Sequence, residues 1–178
     1  MTVNVSLSSR KDFRNAVIVA RGAFSGWSSR AAFNRGQILY RIAEMLEGRK
    51  DQFLEELKQL GYTPAAAKKE VEQSIDRLVY YAGWCDKYQQ LFSSVNPVAT
   101  SHFNFSVPEP MGVVAILADE STALLGLVSV IAPAIAGGNT CIVLASESKP
   151  TCSITFAEVI ATSDVPGGVV NIVTGNRK

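Results

Sequence analysis

The sequence predicts an α/β protein in which a helical first half leads into a parallel sheet, with a β-hairpin arm between the two. Three observations carry that prediction. Of the 33 Lys, Arg, Asp and Glu side chains, 24 fall in residues 1–90, so the front reads as amphipathic helices and the back as a buried sheet with its covering helices. Apolar residues in the first half recur at helical spacing, while the last third alternates short apolar strands with helical stretches. Short connections between those alternating elements call for parallel strands joined by right-handed crossovers.

Taken in order, Ser9-x-x-Asp12 forms a capping box for a first helix, which continues with Phe13, Ala16, Val17, Ala20 and Phe24 and stops at Gly26. A second helix follows Ser28 or Ser29 and buries Ile38, Leu39, Ile42, Ala43 and Leu46. A third runs from about Asp51 with Phe53, Leu54, Leu57 and Leu60 inside, and Gly61 marks its end. Thr63-Pro64 opens a fourth, because proline suits the first helical position, with Ala67, Val71, Ile75, Leu78 and Ala82 inward. Trp27, Tyr80, Tyr81 and Trp84 read as packing residues. Asn96-Pro97 then marks a turn, and Phe103, Phe105 and Val107 alternate with polar residues as an edge strand or hairpin arm, closed by Pro108 and Pro110. The remainder reads β-α-β-α-β: Gly112–Leu117, Leu124–Ala136 (bent at Pro133), Thr140–Leu144, Thr151–Thr162 and Val169–Val173. The divisions are 1–92, 93–110 and 111–178.

Composition narrows the function classes. A net charge of +1 gives no electrostatic reason to expect nucleic acid or an anionic membrane as a partner. One histidine, His102, and three scattered cysteines cannot assemble a conventional zinc site, so no metal is expected. With no disulfide framework and no signal peptide at the start, the cytoplasm is the expected compartment. Ser121–Gly138 carries no charge and approaches the length of a membrane span. Its internal Pro133 and the strand-like runs on either side favour a helix buried against the sheet.

Ligands of parallel sheets bind at the carboxyl ends of the strands, here Ala118–Thr122, Ala145–Glu147 and Thr174–Asn176. Neither G-x-G-x-x-G nor a P-loop is present, so the usual phosphate cradle is missing. Ser121 or Thr122 could offer helix N–H groups to an anion or simply cap the helix, and the simple cap carries more weight. Glu147 could accept from ribose hydroxyls, against the plainer reading of a solvated loop carboxylate. Asp119 and Glu120 could form an acid–base pair, against two solvated neighbours. Cys152 stands in the first turn of a helix, where the dipole lowers a thiol pKa, but it has no evident base, and a buried structural role is the simpler one. Cys85 and Cys141 read as core fillers, and the arginines and acids of the front helices as a solvated face.

Several runs resemble the aldehyde dehydrogenases. Glu109–Val114 (EPMGVV) is similar to the E-P-x-G-V-V that opens their Rossmann-like coenzyme domain. Ile131–Thr140 (IAPAIAGGNT) resembles I-A-P-A-L-A-x-G-N-T, and Val165–Gly175 (VPGGVVNIVTG) resembles P-x-G-V-V-N-x-V-x-G. Arg35–Glu44 and Glu70–Ala82 fit as well, so the likeness runs along nearly the whole chain. Within the family, A-D-E-S, L-L-G-L-V-S and T-S-D-V-P-G-G resemble the degenerate second module of two-module family-16 members. The resemblance implies NAD or NADP as cofactor, with Ser146, Glu147 and Gly175 as the cofactor-binding positions.

Departures from the family pattern qualify that implication. The family's P-W-N-F-P falls on Asp119–Ala123, which puts Ser121 where an asparagine donates to the oxyanion of the thiohemiacetal. Losing such a donor typically costs several kcal/mol of transition-state stabilisation. K-P-S-E falls on Leu144–Glu147, so the lysine that holds the adenosine ribose is a leucine while the glutamate persists. The resemblance places the family's catalytic cysteine, activating glutamate and pyrophosphate loop beyond these residues, and neither Cys141 nor Cys152 matches the nucleophile motif. No catalytic residue is therefore expected here, and cofactor binding by this chain is in doubt. The expected role is a non-catalytic module. A part of an active aldehyde-oxidising enzyme, a scaffold and a free-standing nucleotide sensor are the alternatives. An unpaired sheet edge predicts a homo-oligomer or a companion aldehyde dehydrogenase module as partner.

Overall fold

The computed structural model describes residues 4–176. Helices α1 (Arg10–Ser28), α2 (Ala32–Gly48), α3 (Lys50–Gln59), α4 (Pro64–Trp84) and the short α5 (Tyr88–Phe92) come first. A hairpin of β1 (Ser94–Asn96) and β2 (Asn104–Ser106) follows. The last third is β3 (Val113–Leu117), α6 (Leu125–Ala136), β4 (Thr140–Leu144), α7 (Thr151–Ala161) and β5 (Val170–Val173). The three strands form one sheet in the order β3-β4-β5, and both pairings are parallel, as the alternation of elements predicts.

Local signals set most of the boundaries. The Ser9 side chain accepts from the Asp12 N–H while the Asp12 carboxylate accepts from the Ser9 N–H, which closes the predicted capping box. Thr63 caps α4 through the Ala66 N–H, with Pro64 behind it. Gly61, at φ +89°, takes the left-handed turn that ends α3.

Three expectations are corrected. α1 runs through Gly26 to Ser28, because Trp27 is fully buried and its indole donates to the Ile135 carbonyl at 3.0 Å, a tertiary contact that outweighs one glycine's weak helix propensity. Phe13, placed on the inner stripe, is exposed. α2 is preceded by Ala31 rather than Ser28 or Ser29 and has no side-chain cap.

The core joins both halves of the chain. Leu39, Ile42 and Leu46 of α2, Val71 and Leu78 of α4, and Ile131 and Ile135 of α6 belong to one buried cluster with Cys141 and Val143 of β4. α1 and α6 both pack on β4, whose first four residues are buried. The hairpin stands apart. All three residues of β2 are exposed, so its alternation does not mark one buried face. Tyr80, expected in the packing, is also half outside, with its ring 5.1 Å from that of Tyr81.

Candidate functional site

At the carboxyl end of the sheet, the loops after β4 and β5 face each other across a groove of about 490 Å³. Ser146 and Glu147 line it from one side and Thr174 and Gly175 from the other, so the three cofactor-binding positions implied by the resemblance lie around one cavity. The chain narrows that groove with its own N-terminal segment. The Ser8 N–H donates to the Thr174 carbonyl at 2.8 Å, the Thr174 hydroxyl donates to the Ser6 carbonyl at 2.6 Å, and Val5 and Leu7 join the lining.

Glu120 is not a solvated neighbour of Asp119. Its carboxylate crosses from the end of β3 to the loop after β4. There it accepts from the Ser146 hydroxyl (2.6 Å), the Glu147 N–H (2.8 Å), the Ser148 N–H (3.2 Å) and the Ser148 hydroxyl (2.6 Å). Desolvation pushes its pKa up, but the hydrogen bonds from the two serines and the two backbone amides outweigh that and bring it down to about 2. Asp119 accepts from the hydroxyl of Ser121. Glu120 is thus held by the loop after β4, while Asp119 bonds to Ser121 within the loop after β3.

The start of α6 is sealed in a similar way. Glu70, nearly fully buried on α4, accepts from the N–H groups of Ala123 (2.9 Å) and Leu124 (2.7 Å), with Leu125 at 3.4 Å. The Thr122 hydroxyl accepts from the Gly126 N–H at 2.8 Å, so Thr122 rather than Ser121 does the capping. The loop lies so close that a Cβ on Gly126 would stand 2.7 Å from the Thr122 hydroxyl and 2.9 Å from the Asp119 Cβ. The free N–H groups that would draw a phosphate to this helix are already taken by a carboxylate of the same chain. Beside it, Lys149 donates to the Ser121 carbonyl at 2.7 Å and to the Tyr62 hydroxyl at 3.2 Å.

Residue patterns missed Glu70, Lys149 and the buried Arg35, which donates to the Ala136 carbonyl at 3.2 Å, and singled out Glu120 only for an acid–base pair or a solvated one. None is part of a solvated face. Each has at least one partner more than 25 residues away in the chain, so no local pattern could reveal it.

The thiols are core groups. Burial pushes Cys85 up to about 11 and Cys141 up to about 12. Cys152 is raised further, first by burial and then by the charges of Glu56 and Glu70, so the favourable dipole expected at its helix start does not prevail. Among the described residues no group of three or more His, Cys, Asp and Glu side chains could hold a metal ion, and no helix is long and apolar enough to cross a membrane.

The family model of the aldehyde dehydrogenases matches residues 1–178. The chain belongs to the aldehyde dehydrogenase family. It is 32% identical over 177 residues to the mitochondrial 10-formyltetrahydrofolate dehydrogenase of Homo sapiens, covering 97% of this chain and 19% of that protein. It is 33% identical over 178 residues to the cytosolic aldehyde dehydrogenase 1 of Elephantulus edwardii, covering 96% of this chain and 34% of that one. Among solved structures, PnpE in complex with nicotinamide adenine dinucleotide superposes with a TM-score of 0.91 at 28% identity, over 97% of this chain and 35% of PnpE. HpcC of Thermus thermophilus gives 0.89 at 27% identity, over 96% of this chain and 33% of HpcC. The chain therefore spans between about a fifth and a third of the length of these relatives.

Ser146, Glu147 and Thr174 line the groove, but the Ser146 hydroxyl donates to Glu120 and the Thr174 hydroxyl to the Ser6 carbonyl. A pyrophosphate also needs donors: the start of α6 and the loop after β4 are filled by Glu70 and Glu120, whereas the start of α7 at the groove's wall has no side-chain cap. Leu144 stands at the end of β4, its Cδ1 within 3.7 Å of a Cβ built on Gly175. No step of aldehyde oxidation is assigned to these residues.

Proposed function

We propose that this aldehyde dehydrogenase domain contributes the ribose side of a coenzyme groove and a helical packing surface to a larger assembly, and that by itself it does not oxidise aldehydes. The observation behind this reading is the combination at the sheet's carboxyl end: Ser146, Glu147 and Gly175 border a groove, while Glu70 and Glu120 occupy the amide donors at the start of α6 and in the loop after β4. Both a further copy of the chain and a companion aldehyde dehydrogenase module suit the role of partner, with NAD or NADP as the cofactor of the assembly and the cytoplasm as its place of work. The divisions at 92–93 and 110–111 then separate a helical part, a hairpin for association and a sheet part.

Calorimetric titration with NAD, run beside an absorbance assay for NADH with added aldehyde, tests the reading. Heat only at millimolar NAD and no NADH is the expected result. Turnover of an aldehyde by this chain unaided would overturn it.

A further inference from the structure

We infer that the outward face of α2 is a self-association surface, on which a second copy of this chain docks its own α2, antiparallel, about a two-fold axis at Gln37. The inward face of the helix is taken up by the core, through Ile38, Leu39, Ile42 and Leu46. On the other side Phe33, Gln37, Tyr40, Arg41 and Glu44 recur at intervals of three and four, so they form one stripe, and all five are exposed. Phe33 is 69% exposed and Tyr40 47%, apolar surface that the chain itself leaves uncovered. Gln37 and Tyr40 line a hollow on each side of the helix. One, of about 490 Å³, is polar and takes in Arg30, Asn34, Arg41 and Glu44, with Asp164 also in its lining. The other, of about 220 Å³, lies between Phe33 and the small residues Gly36, Ala82 and Gly83. A ridge with a groove on either side is the shape against which a second helix packs.

The two ends of the stripe complement each other, and that selects the occupant. The leading end offers the Arg30 guanidinium, which donates to Asn34 Oδ1 at 2.9 Å and lies 5.9 Å over the Trp27 ring, together with the exposed Phe33. The trailing end offers Arg41 and Glu44, paired at 3.2 Å with side chains 48% and 66% exposed. Residues 30 and 44, 33 and 41, and 34 and 40 are symmetric about 37. An antiparallel pair centred there sets Arg30 against the partner's Glu44 and Phe33 against the partner's Arg41, a cation–π contact, and each contact forms twice. A parallel pair would instead set Arg30 against Arg30 and Glu44 against Glu44, so like charges exclude it. From Phe33 to Glu44 the stripe is about 17 Å long. A single helix pair of that length buries less than the roughly 1,600 Å² of a standard interface, so the contact is weak and adds to others. It rests on the reading of this domain as part of a larger assembly, and it names the helical packing surface and what covers it.

Oxidative cross-linking of Gln37→Cys, beside Gln59→Cys on the exposed side of α3, reads the contact directly. Both carry Cys85→Ala, because Cys85 lines the smaller hollow. Packed helices lie about 8–10 Å apart, which brings facing Cα atoms into the roughly 4.4–6.8 Å range of a disulfide. Gln37→Cys is expected to form a disulfide-linked dimer at least about tenfold faster than Gln59→Cys, and equal rates overturn the inference. Sedimentation of Arg30→Glu and Glu44→Arg, each with Phe103→Ser/Phe105→Ser so that the hairpin does not contribute, reads the charge pairing. Each variant alone is expected to self-associate at least about tenfold more weakly than its parent. Their equimolar mixture is expected to recover the parent affinity, since every carboxylate then faces a guanidinium; a mixture no tighter than its components overturns the inference. Should Arg30→Glu fail to fold, the Gln37→Cys cross-link decides. A parent chain that stays monomeric at millimolar concentration, with no Gln37→Cys cross-link, leaves the stripe to a companion module and overturns the self-contact. Aldehyde turnover by the chain unaided would end the functional reading and leave this contact standing, so the two fail separately.

Discussion

A thiol attacks as its thiolate, so a cysteine whose pKa is raised by burial is protected both by access and by protonation. Cys85, Cys141 and Cys152 are all buried, and all have raised thiol pKa values. None of the three is expected to react with a disulfide reagent within minutes in the native chain at pH 8, whereas all three react after guanidinium unfolding. Because the thiolate is the deprotonated form, native reactivity should rise only as the pH approaches the 11 to 12 range of Cys85 and Cys141, provided the fold survives. Fast labelling of a single cysteine at neutral pH would contradict this. That Cys85 and Cys141 fill the core was legible from their places on a helix and a strand. The roles of Glu70 and Glu120 were not, because their hydrogen-bond partners lie 53–55 and 26–28 residues away and a charge on a helix face or in a loop looks solvated until its partner is placed.

At the scale of elements, α6 shows how the two halves of the chain depend on each other. Its N-terminal amides are held by Glu70 from α4, and its last carbonyls by the Arg35 guanidinium from α2 and the Trp27 indole from α1. An acid at the positive end and a base at the negative end both complement the helix dipole. Glu70→Ala leaves buried N–H groups without an acceptor and should destabilise the chain by about 2 kcal/mol or more in urea unfolding; Glu70→Gln keeps an acceptor and should lose less. A loss for Glu70→Ala within error of zero would mean that water replaces the carboxylate. The helix itself was legible within one residue, as was every strand of the parallel sheet, because unbroken apolar runs and glycine pairs set those limits locally. α5 and the passage of α1 through Gly26 were not, since burial of Trp27 against α6 extends α1 and no local residue announces it.

For the whole molecule, the buried cluster running from α2 and α4 through α6 to the sheet contrasts with the surface left uncovered around the hairpin. Phe92, Val95, Phe103 and Phe105 are each more than half exposed, with the Phe103 and Phe105 rings 5.5 Å apart, and Leu117 projects from the edge strand β3. Exposed apolar side chains of this kind favour association in water. Nothing in the core rests on these rings, so replacing them separates association from folding. Phe103→Ser together with Phe105→Ser should lower the sedimentation-average mass at high concentration and reduce dye binding to exposed apolar surface. The melting temperature of the dilute chain should move by less than about 2 °C, the range for substitutions away from packed sites. If the double variant sediments like the native chain, the hairpin is not the contact, and Leu117→Lys on the open β3 edge becomes the variant that must disperse it. If neither variant changes the mass of an associated chain, the contact lies on other elements and both exposed surfaces are simply solvated.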